Sequence, residues 1–136
     1  LFPATVDHGT LIVTARMLVV GGCVAGFLGM ALGAFGAHGL EGRLSAEALG
    51  WWETATSYLL PHAVLVASLG LASAHGGNGF ARAGWCLLAG ATVFVGSLYG
   101  LALTGFRPLG AVTPIGGLLL LIGWGWAGAS ALRLRP

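Results

Sequence analysis

The sequence predicts an all-α integral membrane protein, a bundle of four transmembrane helices with a short interfacial helix in the first loop. Of its 136 residues, 57% are hydrophobic and only 7% are charged, whereas a soluble domain carries about 25% charged residues. Four segments approach the roughly 20 apolar residues that a membrane-spanning helix needs. These segments are apolar on every face and lack strand-like alternation, which argues against both a soluble helical domain and a membrane barrel.

Short stretches rich in glycine and charge separate the four predicted spans. In order, the spans are about Met17–Ala37, Thr54–Ala74, Ala83–Leu103 and Ile115–Leu132. We expect the whole chain to form one domain, with residues 1–15 as an N-terminal extension. Leu1–Thr14 has neither a basic region nor a small-residue cleavage site, so it does not resemble a signal peptide.

The first loop is expected to hold the short interfacial helix. Ser45 suits its N-cap and Glu47 its first turn. Trp51 and Trp52 follow, and we expect them at the membrane–water interface, where tryptophan is enriched. Pro114 is expected in the first turn of the fourth helix, where a missing N–H costs nothing.

Small residues predict where the helices pack. In lipid, helices associate through close backbone approach and polar contacts rather than through hydrophobic burial. Glycines at helical spacing therefore predict that the first helix is central in the bundle. The expected packing residues are Gly22, Gly26, Gly29, Gly33, Gly96 and Gly100. Contact within the chain is favoured, and dimerisation through the same seam is the alternative.

Arginine placement predicts the orientation. Four spans put both termini and the middle loop on one side, and basic residues accumulate on the cytoplasmic side. The terminal side carries Arg16, Arg82, Arg133 and Arg135, whereas the other carries Arg43, Arg107, Glu41, Glu47 and Glu53. We therefore expect both termini in the cytoplasm. The arginines are scattered, unlike the clustered basic face of a nucleic-acid-binding protein.

This topology also brings polar side chains from several helices towards the outer surface. The candidate polar cluster or ligand-binding set is His38, Glu53, Tyr58, His62 and Tyr99. An ionisable residue inside a membrane often marks a functional site. A structural role is favoured here, because Glu53 lies at the edge of its span. It is also favoured because a neutral His62 needs only one hydrogen-bond partner.

No catalytic constellation or metal cluster stands out, and we expect neither enzymatic activity nor a cofactor. His38 and His62 differ in depth by about half a span, which argues against a shared haem. Cys23 and Cys86 lie in separate apolar runs and form no CxxC pair. Pro61 removes one helical hydrogen bond beside Tyr58 and His62, so a kink with a small pocket is one possibility there.

Several motifs together resemble a known family of small membrane proteins. They are ALGAFGAHGL from Ala31 to Leu40, Glu53–Thr54–Ala55 with Tyr58 and His62, GSLYGLALTG from Gly96 to Gly105, and LGAVTPIGG from Leu109 to Gly117. Their order and spacing resemble domain-of-unknown-function family 423, also called uncharacterised protein family 0382, with transmembrane protein 256 as a eukaryotic relative. The resemblance covers about residues 16–132 and implies four helices in a bacterial inner membrane, but no established activity. Where relatives often carry a glutamine between the Tyr and the His, this chain has Leu59–Leu60–Pro61.

Three kinds of function fit these observations. The favoured one is a non-catalytic accessory or structural subunit that contacts membrane lipids and either other membrane proteins or copies of itself. A small transporter or channel would use the outer polar cluster, although the chain is short for that class. A quinone- or lipid-binding protein would use Tyr58 and His62 as hydrogen-bonding groups.

Overall fold

The computed structural model of the chain describes residues 8–134 and folds them into four α-helices. These are α1 (His8–Gly39), α2 (Ala46–Gly76), α3 (Asn78–Thr104) and α4 (Pro108–Ala131). All four are long and apolar enough to cross a membrane, so the predicted four-helix class is confirmed. The 31-residue α2 is about 46 Å long at 1.5 Å per residue, and it therefore extends past a hydrocarbon core of about 30 Å.

Helix α1 begins well before the first predicted span. Residues 8–15, predicted as part of an N-terminal extension, form its first two turns, whereas residues 1–7 lie outside the described part of the chain. The sequence from His8 to Arg16 contains neither proline nor a turn motif, so helical geometry can continue outward past the apolar run.

The predicted interfacial helix is not a separate element. Ser45 caps a helix as expected, its Oγ accepting the Ala48 N–H at 3.2 Å. That helix is α2 itself, which continues from Ala46 through the second span to Gly76. The first turns are rich in alanine and leucine, which favour helix, and Gly50 costs only about 1 kcal/mol. Nothing in this segment is therefore strong enough to break the helix.

Glycines end α2 and α3, and a proline begins α4. Gly77 alone separates α2 from α3 and has φ of 82°, a conformation that side-chain-bearing residues rarely adopt. Gly105, with φ of 66°, closes α3 by donating its N–H to the Leu101 carbonyl at 2.8 Å. Pro108, rather than Pro114, occupies the first turn of α4. The prediction for Pro114 was wrong because the helix starts at an earlier proline that satisfies the same requirement.

Helices α2 and α3 are the inner pair of the bundle. Helix α1 packs mainly on α2 and makes a smaller contact with α3, while α4 packs on α3. The prediction that the first helix is central was therefore wrong: most of its glycines face α2, and Gly21 alone among those described faces α3, at Leu88. Large apolar side chains remain exposed on the two outer helices, including Phe27 on α1 and Leu121 on α4. Lipid is as apolar as these side chains, so their exposure carries little penalty in a membrane.

The glycine seam of α1 lies against α2. A Cβ atom added at Gly22 would lie 2.6 Å from the Ala67 nitrogen, closer than real atoms approach. Further along α1, Gly26, Gly29 and Gly33 face Ala63, Leu60 and Thr56. These contacts lie within one chain, and they use the surface that the dimerisation alternative would have required.

The predicted glycines of α3 behave differently from each other. Gly100 faces Leu109 of α4, whereas nothing lies within 4 Å of a Cβ added at Gly96. Contrary to the prediction, Gly96 is therefore not a packing residue, because glycine spacing identifies a helix face but not whether a neighbour covers it. The closest approach of α3 and α4 instead involves Gly90 and Gly116, where an added Cβ would collide with the facing backbone.

Candidate functional site

The five candidate residues do not form one cluster. His38 and Glu53 are exposed, and Glu53 lines a groove between α1 and α2. Tyr58 and His62 line a second groove, and Tyr99 lines a third. These residues do not converge, because similar depth does not fix direction: side chains five residues apart on one helix, such as Glu53 and Tyr58, point to different faces.

Trp52 organises the end of the bundle near the first loop. Its indole N–H donates to the Leu32 carbonyl of α1 at 2.8 Å, and its side chain is only 3% exposed. The Tyr99 ring of α3 lies 4.3 Å from the Trp52 ring and the Phe35 ring of α1 lies 6.0 Å away, between ring centroids. A carbonyl partner across the helix interface allows the indole to be buried between helices, whereas its predicted depth at the membrane–water interface stays a prediction.

Two hydroxyl pairs join α3 to its neighbours. The Tyr99 hydroxyl lies 2.8 Å from the Thr56 hydroxyl of α2. The Ser97 hydroxyl lies 2.8 Å from the Thr113 hydroxyl of α4. In both pairs either oxygen can donate. These four hydroxyl groups are therefore paired across helix interfaces instead of converging on a shared space.

His62 is held on both of its ring nitrogens. Nδ1 lies 2.6 Å from the Tyr58 carbonyl oxygen, and Nε2 lies 3.1 Å from the indole nitrogen of Trp124 on α4. A carbonyl can only accept and an indole N–H can only donate, so these partners require a neutral imidazole with its proton on Nδ1. His62 is 7% exposed. The sequence had indicated one partner for it, and Trp124 was not anticipated.

Cys86 of α3 also makes a hydrogen bond across a helix interface. The Cys86 thiol donates to the Leu119 carbonyl of α4 at 3.3 Å, whereas Cys23 is exposed on α1. Within residues 8–134, every buried side-chain nitrogen or oxygen has a hydrogen-bond partner. In the same part of the chain no group of three His, Cys, Asp or Glu side chains is arranged to hold a metal ion.

A groove lies beside His62, between α2 and α4. Its volume is about 570 Å³, and Phe94 of α3 contributes to its lining. Four rings follow one another along it: Phe94 and Tyr58 are 4.7 Å apart, Tyr58 and His62 6.1 Å, and His62 and Trp124 6.2 Å, between centroids. Pro114, Gly117 and Leu118 of α4 form the facing wall. We call this space the aromatic groove.

These features define a small helical membrane protein whose internal polar groups join its helices. Residues 32–117 match the family described as "Protein of unknown function (DUF423)". UPF0382 membrane proteins are similar to the chain: that of Staphylococcus epidermidis is 45% identical and that of Staphylococcus saprophyticus 42% identical, each over 80% of this chain. The alignments cover 89% and 91% of these relatives. The chain belongs to this DUF423/UPF0382 family of membrane proteins, as the sequence motifs indicated. No solved structure matches it significantly.

Proposed function

We propose that the chain is a non-catalytic membrane protein that serves as an accessory or structural subunit of a larger membrane assembly. The proposal rests on the observation that the internal polar side chains make hydrogen bonds between helices. Trp52 links α2 to α1, Thr56 links α2 to α3, and His62 links α2 to α4. Groups already engaged in such contacts are poorly placed to act as acid, base or nucleophile.

The outer faces of α1 and α4 are the surfaces for such an assembly. Phe27 and Met30 on α1 are 74% and 67% exposed, and Leu121 on α4 is 72% exposed. The two outer helices can contact lipid on some faces and a partner subunit on others. The alternative of a transporter or channel has less support, because Glu53, His62 and Tyr99 line three different grooves.

We further propose that both termini face the cytoplasm of a bacterial inner membrane. Arg16, Arg82 and Arg133 are exposed at the end of the bundle that holds the termini, and Arg135 lies outside the described residues. Arg43 and Arg107 are exposed at the opposite end, together with the three glutamates. This asymmetry supports the orientation through the preference of basic residues for the cytoplasmic side.

The subunit proposal is tested by isolating the chain from native membranes in mild detergent and measuring intact mass. We expect a complex of fixed stoichiometry larger than one chain. A photoreactive phenylalanine analogue at Phe27 or Leu121 should then cross-link to the same component, whereas the exposed loop residue Phe106 serves as the control for random collision. A single free chain under all gentle conditions, with only lipid adducts at Phe27 and Leu121, would contradict the proposal.

A further inference from the structure

We propose that the aromatic groove binds an uncharged, ring-bearing lipid of the quinone class, with a ring carbonyl accepting a hydrogen bond from the Tyr58 hydroxyl. This binding site is additional to the subunit role and does not depend on it. The groove volume of about 570 Å³ falls within the roughly 300–1,000 Å³ typical of sites for small ligands.

Of the three polar side chains that line the groove, Tyr58, His62 and Trp124, the Tyr58 hydroxyl remains available to donate a hydrogen bond to a ligand. Both His62 nitrogens are engaged, and the Trp124 N–H is donated to His62. Tyr58 is 45% exposed and lines the groove, and its hydroxyl makes no hydrogen bond within residues 8–134. A phenol hydroxyl in an apolar setting is best satisfied by a carbonyl acceptor. The ligand should therefore present such an oxygen to Tyr58.

The rings in the groove favour a flat ligand. Phe94, Tyr58, His62 and Trp124 present aromatic surface along its length. A planar ring placed against such surfaces gains stacking contacts that a flexible acyl chain does not. Gly117 on the facing wall carries no side chain, so a ring can approach the α4 backbone closely there.

Charge and depth argue against a phospholipid headgroup as the polar partner of Tyr58. The groove is lined by no Asp, Glu, Lys or Arg, so an uncharged occupant is complementary to it. Tyr58 lies four residues inside the predicted second span, which begins at Thr54, and therefore about 6 Å along the helix axis from the start of the span. Phosphates remain near the membrane surface, whereas the ring of an isoprenoid quinone can enter the hydrocarbon region.

The test titrates the purified full chain in phospholipid nanodiscs with a decyl-tailed benzoquinone, a quencher of tryptophan fluorescence. We expect saturable quenching, most of which is lost in Trp124→Phe. Tyr58→Phe should raise the dissociation constant about fivefold, as expected for one lost hydrogen bond. Tyr99→Phe is the matched control: its hydroxyl pairs with Thr56 and it lines a different groove, so the dissociation constant should stay unchanged.

A second pair of variants keeps the test independent of Tyr58. Leu118→Trp should fill the groove and abolish saturable quenching, whereas Leu103→Trp places the same residue on an exposed face outside the groove and should not. Equal affinities for wild type and Tyr58→Phe would overturn the proposed hydrogen bond. A ring-specific site would be overturned if quenching by the quinone does not saturate. It would also be overturned if decanol, at the same concentration as the quinone, displaces the bound quinone.

Discussion

The indole N–H of Trp124 donates to Nε2 of His62 across 3.1 Å, joining α4 to α2 between residues 62 positions apart in sequence. This contact bridges two helices that both pack on α3. The second ring nitrogen of His62 is fixed by the Tyr58 carbonyl. A histidine in a membrane span is often a sign of proton transfer or metal binding, but here both nitrogens serve the packing of the helices.

Replacing Trp52 by Phe should destabilise the loop end of the bundle. The change removes the hydrogen bond to the Leu32 carbonyl and part of a ring that is only 3% exposed. We expect a loss of about 2 kcal/mol in the free energy of unfolding, combining one interhelical hydrogen bond and a small cavity. Unfolding by SDS in mixed micelles, followed by circular dichroism, measures it.

Trp85→Phe provides the control for Trp52, because Trp85 is 43% exposed on α3. Its effect should stay within about 0.5 kcal/mol, as for most exposed substitutions. Equal effects of the two changes would mean that Trp52 is not the centre of a packed cluster.

Gly22→Ala should be far more damaging than Gly96→Ala. A Cβ at Gly22 would lie 2.6 Å from the Ala67 nitrogen and 2.7 Å from the Ala63 carbonyl oxygen, so α1 and α2 must separate. We expect about 2 kcal/mol of destabilisation from this overpacking. At Gly96 the added methyl group meets open space, and the better helix propensity of alanine should leave stability unchanged or raised by up to about 1 kcal/mol. The reverse order in the same unfolding assay would contradict the packing of α1 on α2.

Cysteines at Gly33 and Thr56 should form a disulfide within one chain. A Cβ built at Gly33 lies 3.1 Å from Cγ2 of Thr56 and just beyond 4 Å from its Cβ, which is at the long end of the disulfide range of about 3.5–4.5 Å. In a background without Cys23 and Cys86, mild oxidation should shift the mobility of the monomer on a denaturing gel. A dimer band in its place would support the intermolecular seam, and the control pair Gly33→Cys with Leu121→Cys should give neither product.

The proposed orientation is tested by labelling with a membrane-impermeant maleimide. A single cysteine at Glu47, near the first loop, should react from outside spheroplasts, whereas a single cysteine at Asn78, beside the α2–α3 turn, should react only after the membrane is opened. The reversed labelling pattern would place both termini outside the cytoplasm and contradict the orientation inferred from the arginines.

The four helices follow from the sequence because each crossing needs a long apolar run, and such runs are visible without tertiary information. The Ser45 cap was also predictable, because it depends on local hydrogen bonding to Ala48. Helix limits were less accessible, because charged residues such as Arg16 in α1 and Glu53 in α2 interrupt the apolar runs without ending the helices.

Pairing between helices was the part that the sequence did not specify. Helix topology places Ser97 and Thr113 at the same end of the bundle, where their hydroxyls are paired. It did not indicate which face each helix turns towards its neighbours, so Trp124 as partner of His62 and Leu32 as partner of Trp52 were missed. A tryptophan in the middle of an apolar helix was the available signal, because its N–H needs an acceptor away from water.

The most direct test of the central claim is a double-mutant cycle between His62 and Trp124. Unfolding free energies of His62→Leu, Trp124→Phe and the double variant are measured in mixed micelles, with His62→Leu and Trp126→Phe as the matched control pair. If the membrane-embedded polar groups join the helices, the first pair should show a favourable coupling of about 0.6 kcal/mol, and at most about 1.7, while the control pair is additive. Additive effects at His62 and Trp124 would contradict the account.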